Sequence, residues 1–134
     1  MEPISAVASV LGVIGFIGSV TAAASSFMKD LRSARKEIVA LKKELASLRG
    51  VLEILADDFD DPTNSSLPQG VLARVVDVTK DCRRVLQEIN DCIRDVRGSR
   101  LSWANSGKER IEHLQRTLVA HKSALSVTLD YISM

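Results

Sequence analysis

Residues 3–28 read PISAVASVLGVIGFIGSVTAAASSFM, a run without one charged side chain. Wound as a single helix at about 1.5 Å per residue it reaches roughly 39 Å, enough to cross a hydrocarbon layer of about 30 Å. Steps of three and four residues join Ser5, Ala8, Gly12, Gly15, Ser19, Ala22 and Ser26 into a stripe of small side chains. Such a surface lets a second backbone come close when helices pack in lipid. Val7, Val10, Leu11, Val13, Ile14, Phe16, Ile17, Val20 and Phe27 fill other positions, so no charged face remains. A helix that is apolar all round is covered either by protein or by lipid. Gly12, Gly15 and Gly18 each weaken it by about 1 kcal/mol relative to alanine, which a purely structural core helix has little reason to carry. On these residues a central bundle helix and a membrane-inserted segment both stand open. A secretory signal fits less well, because no Lys or Arg precedes the run and it exceeds a usual apolar h-region in length.

The rest of the 134 residues is of a different character: charged, amphipathic and in helical period. Net charge is +1 and aromatic residues make up 4%. No overall field draws the chain to nucleic acid, and basic residues interleave with acidic ones instead of forming a stripe. Without strand-type alternation the pattern predicts a single all-α domain, an antiparallel four-helix bundle running up-down-up-down. Its helices are expected at 1–31, 33–59, 71–97 and 106–134, the first apolar and the others a scaffold.

Lys29 to Ser33 is the expected elbow, with Ser33 capping the second helix. Ile38, Leu41, Leu45, Leu48, Leu52, Leu55 and Phe59 then form its buried stripe. Asp57 to Gly70 has loop composition. Asp57, Asp58, Asp60 and Asp61 lack the ligand spacing of a calcium loop and read as solvated. The Asn64-Ser65-Ser66 sequon has meaning only in a secreted chain. In the third helix Val75, Val78, Cys82, Val85, Ile89, Cys92 and Val96 repeat the pattern, which places both cysteines on a buried face as free thiols; Gly98 ends it. Ser106 and Glu109 form a capping-box pattern for the fourth helix, whose stripe is Ile111, Leu114, Leu118, Leu125, Leu129 and Ile132. His121 lies near that stripe and His113 on the solvated side, neither with a chemical role.

In this topology the elbow and the segment bearing Trp103 share one end of the bundle. Lys29, Arg32, Arg35 and Lys36 there are candidate contacts for anionic headgroups, each worth about 1 kcal/mol near such a surface. If the first helix inserts, these cations stay on the cytosolic side. Trp103 either caps the core or anchors at the membrane interface. No phosphate-binding glycine loop, catalytic triad or metal-ligand spacing is present in the sequence, so neither an enzyme nor a cofactor is expected.

The opening MEPISAVASVLGVIGFIGSV, the elbow at Lys29 to Ala34 and the run ELASLRGVLEIL at Glu44 to Leu55 resemble the HeLo-like N-terminal domains of fungal NOD-like receptor (STAND) proteins. Through them the chain is distantly similar to the HeLo toxin domain, the mixed-lineage kinase-like bundle and plant resistance coiled-coil domains. The resemblance implies a programmed cell-death or innate-immunity module, of the kind active in heterokaryon incompatibility. In such a module oligomerisation frees the first helix to permeabilise the plasma membrane from a cytoplasmic resting state. It further implies self-association, contact with anionic membrane lipids, and a nucleotide-binding receptor platform in cis or in trans. Carried over by position, the membrane-insertion and self-association residues are Gly12, Gly15 and Gly18 with Ile14, Phe16 and Ile17. The competing reading is a non-lytic interaction module in which the first helix stays in the core. A constitutive single-pass protein with a helical cytosolic bundle is a third.

Overall fold

The computed structural model describes residues 3–61 and 67–133. Every long element among them is a helix: α1 (Pro3–Asp30), α2 (Arg35–Asp60), α3 (Gln69–Val96), and a fourth built of three consecutive segments. That last helix, α4, begins with one turn at Arg100–Ser102, widens to a π-helical turn at Trp103–Gly107 and continues as α-helix over Lys108–Ser133. The expected all-α bundle is present. The Asn64-Ser65-Ser66 sequon lies outside the described residues.

Each helix buries the stripe its leucines and valines dictate. On α2 these are Ile38, Leu41, Leu45, Leu48, Leu52, Leu55 and Phe59. On α3 the predicted heptad is buried, joined by Leu72, Val76, Leu86 and Ile93, because α3 packs against two neighbours. Ile111, Leu114, Leu118 and Leu125 of α4 are buried, whereas Leu129 and Ile132 are only partly covered near the chain end.

Successive helices alternate in direction, but not every neighbouring pair is antiparallel. α1 packs on α2 and α3, and α4 packs on the same two. Ser9 meets Thr79 and Asp30 meets Arg97, so α1 and α3 run side by side in the same direction. Glu37 faces Lys108 and Glu44 faces Lys122, so α2 and α4 do likewise. α2 and α3, though consecutive in the chain, therefore sit diagonally opposite each other in the bundle. Lys122 Nζ lies 2.7 Å from Glu44 Oε1 with both side chains largely covered, an ion pair between the two parallel scaffold helices.

The helix ends differ from the sequence expectation where polar side chains were assigned as caps. Ser33 lies exposed in a 3₁₀ turn (Arg32–Ala34) and caps nothing; Ala34 precedes α2. The break comes instead from Leu31, whose extended backbone (φ −139°, ψ 94°) turns its side chain into the core together with Ala34. α2 also runs through Asp60, so Asp57, Asp58 and Asp60 sit in a helical turn rather than in a loop. Ser106 does not begin a helix either: its hydroxyl donates to the Ser102 carbonyl, and the real cap is Ser99, whose Oγ accepts from the Ser102 amide at 3.1 Å. The helix continues through Ser106 because the π turn lets Trp103 and Gly107 both face inward. A Cβ on Gly107 would lie 2.9 Å from Val96 Cγ1 and 3.0 Å from the Trp103 ring, so glycine permits this close approach. Gly98, at φ 84°, terminates α3 in the left-handed conformation as its position predicts.

Both cysteines are buried free thiols. Burial pushes the Cys82 thiol up from 9.0 to about 12, with the Asp81 carboxylate adding to the rise. Burial likewise raises Cys92, with Arg110 opposing and Asp95 reinforcing it. The unfolded chain ionises first, so Cys82 supports folding below pH 9 and that support is lost as pH rises toward 12. We expect wild-type stability to fall by up to about 1.4 kcal/mol per pH unit above 9, and Cys82→Ala to show a shallower fall. Urea unfolding at stepped alkaline pH measures both; parallel slopes would remove Cys82 from the explanation.

Candidate functional site

α1 is long and apolar enough to cross a membrane, yet the bundle covers only one of its sides: 28% of its most apolar window is buried. The covered face is Ala6, Val10, Val13, Ile17, Val20, Ala24 and Phe27, in alternating steps of four and three. Most of the small-residue stripe points away from the bundle, Gly12 and Ser26 being partly covered. Ser5, Ala8, Gly15, Ser19 and Ala22 are exposed, and Leu11 beside them is 53% exposed. Protein thus covers one side of the helix only, and the choice between a core helix and a lipid-facing one is divided between its two faces. Small side chains leave little apolar area on the outward face, so its exposure to water would carry a modest cost.

The six α1 positions singled out from sequence do not form one surface. Ile17 is buried. Ile14 and Phe16 are half-buried and pack against the core from either flank. Gly15 and Gly18 face open space: a Cβ on either meets no other atom within 4 Å. Gly12 lies under Arg83, whose Nη2 would be 2.6 Å from such a Cβ, and sequence reasoning did not anticipate that cover from α3.

Among the described residues, few polar bonds hold α1 in place. Thr79, fully buried, donates to the Val76 carbonyl at 2.7 Å, so the Ser9 hydroxyl at 2.6 Å donates to Thr79 in turn. At the other end Arg97 spans Asp30 (3.1 Å) and Ser26 (2.6 Å). Arg97 follows directly on the last buried residue of α3, and nothing in its sequence context signalled the clamp.

The elbow and the Trp103 segment do share one end, as the topology requires. Lys29, Arg32, Arg35 and Lys36 are all exposed there. Trp103 is not exposed with them. Its ring is 3% exposed and packs on Phe27, centroids 5.5 Å apart and planes at 60°. The interfacial-anchor reading of Trp103 is therefore corrected to that of a core cap; the π turn aims the ring inward. Among the described residues Leu101, 70% exposed, is the large apolar side chain this end leaves open.

Elsewhere, Asp81, Arg84, Glu88, His113, Thr117 and His121 share a shallow groove of about 340 Å³ between α3 and α4. Among the described residues no three His, Cys, Asp or Glu side chains converge as a metal site.

The chain matches no curated protein and no solved structure. Residues 1–134 match the family model described as pigment biosynthesis cluster protein PigL N-terminal, and the chain belongs to that family of helical N-terminal domains.

Proposed function

We propose that this domain acts on membranes through α1, as a regulated cell-death execution or signalling module of the fungal HeLo-like type. At rest it is a cytoplasmic bundle. When copies are brought together, by a nucleotide-binding receptor platform in cis or in trans, α1 leaves the bundle, inserts into the plasma membrane and lines a permeabilising assembly. No chemical step, and hence no enzyme active site or cofactor, enters this reading.

The observation that carries it is the division of α1 into two unequal grips. Its covered side offers mostly Ala and Val, against the leucine stripe of α2, and its outward side is free of charge over the length of a bilayer. Lipid would cover both sides. Two placements of one helix that differ by a few kcal/mol make a switch that oligomerisation can tip. The outward stripe of Ala8, Gly15, Ser19 and Ala22 would then let neighbouring copies of α1 pack closely in the inserted state.

A second reading has its own support. Because the small-residue face is already exposed, copies or partners can meet through it without α1 moving, which makes a non-lytic interaction module. Gly15→Leu addresses the two together. Gly15 is exposed and a Cβ there meets no other atom within 4 Å, and leucine is the better helix former by about 1 kcal/mol, so the fold should be unchanged or slightly stabilised. Dye leakage from anionic liposomes, driven by enforced oligomerisation of the full chain, should drop sharply in this variant. Unchanged leakage would refute close packing of α1, and no leakage from the wild-type chain would favour the non-lytic module. Truncation is a poorer test. Removing residues 1–20 would take Ala6, Val10, Val13, Ile17 and Val20 out of the core and unsettle the bundle itself.

A further inference from the structure

The elbow between α1 and α2 concentrates positive charge without neutralising it. Leu31 and Ala34 turn inward, and Lys29, Arg32, Arg35 and Lys36 around them are all exposed. Met28, Lys29, Arg32 and Arg35 line an open cleft of about 560 Å³ there. The carboxylates that could neutralise it are engaged elsewhere. Asp30 is held by both the Nε and Nη2 groups of Arg97, and Glu37 faces Lys108 at 3.5 Å. The four elbow cations of a chain whose net charge is only +1 are thus left facing water, two of them guanidinium forks that line the cleft with Met28 and Lys29.

Such a cleft matches a particular ligand chemistry. Arg forks bind phosphate oxygens in pairs, Lys adds point charge, and an ordinary solvated surface would intersperse carboxylates among them. We infer that the elbow cleft is a binding site for clustered phosphomonoesters of the inositol-phosphate class, presented on a lipid headgroup or as the free molecule. This deepens the membrane reading and rests on it for the source of the ligand: the site would hold the basic end of the bundle at a phosphorylated leaflet. Leu101, 70% exposed at the same end, would be positioned to dip into that surface.

The test uses the full chain and inositol 1,4,5-trisphosphate as the soluble probe, with binding read by calorimetry. Arg32→Gln combined with Arg35→Gln removes both forks; both side chains are exposed and make no ion pair among the described residues, so the bundle should persist. Loss of charge-assisted hydrogen bonds predicts at least about a tenfold weaker affinity. Arg74→Gln combined with Arg116→Gln removes the same net charge from other places on the bundle and should bind as the wild type does. If the elbow variant binds as tightly as the wild type, or if the control pair loses as much, the inference is overturned. Flotation with vesicles then assigns the source. Preference for phosphatidylinositol bisphosphate over phosphatidylserine at matched surface charge supports the headgroup, and absence of preference with retained trisphosphate binding supports the free ligand. Dye leakage separates this site from the broader proposal. Binding without leakage leaves the site standing and sinks permeabilisation, whereas full leakage by an elbow variant with undiminished trisphosphate binding sinks the site alone.

Discussion

Phe27→Ala should destabilise the bundle by about 3–5 kcal/mol and at the same time increase its leakage activity. The ring is fully buried at the last covered position of α1 and packs on Trp103, and it is the largest side chain that α1 contributes to the core. Its removal leaves a cavity where the π turn of α4 meets the elbow. It also removes the strongest single grip that the scaffold has on the C-terminal half of α1. Unfolding in urea, followed by far-ultraviolet circular dichroism, gives the stability change. Trp103 emission should shift to the red as water reaches the ring. If α1 acts by leaving the bundle, liposome leakage should require less enforced oligomerisation than in the wild type. A variant that loses stability and leakage together, while remaining folded at the assay temperature, would contradict release of α1 as the activating step.

Lys122→Ala should be the second most damaging substitution, at about 2–4 kcal/mol, because it strands the Glu44 carboxylate between α2 and α4. Glu44 is 15% exposed and Lys122 25%, so solvent screens the pair only in part, and Ser47 shares the ammonium at 3.1 Å. Thermal melting should fall by roughly 10 °C for a domain of this size. Replacing both partners together, Glu44→Leu with Lys122→Met, should recover most of that loss, since an apolar pair of similar volume carries no desolvation penalty. A change below about 0.5 kcal/mol in the single variant would show that the pair behaves as a surface contact. This substitution lies far from the α1 grip, so leakage per folded molecule should remain at the wild-type level.

What could be read from the sequence was whatever repeats. Leucine and valine at steps of three and four marked residues of α2 and α3 that are all buried, though α3 buries a wider face than its heptad, because burial of apolar area is the main force driving folding and acts at every turn. What could not be read depends on single contacts between distant segments. Ser106 followed by Glu109 has the composition of a cap, but the Trp103 ring and the close approach of Val96 to Gly107 carry the helix through that point. Trp103 could serve either core or interface by its chemistry, and only its meeting with Phe27 decides. The α1 stripe was visible as a pattern, yet which of two uncharged faces would turn outward was not. The larger Val, Ile and Phe side chains took most of the covered positions, and Gly, Ala and Ser were largely left outside. The elbow cations were legible as a cluster; that Arg97 and Lys108 would occupy the nearby carboxylates was not.

The diagonal placement of α2 and α3 has a mechanical corollary. α1 occupies a corner of the square, touching α2 and α3, while α4 bridges those same two from the opposite corner. Taking α1 away therefore leaves α2 and α3 still joined through α4, with the break at Leu31 as the pivot. The vacated corner is an apolar trough as long as α1 itself, with the shape and register of the helix that left it. If α1 swings out as proposed, that trough would be open to the α1 of a second copy.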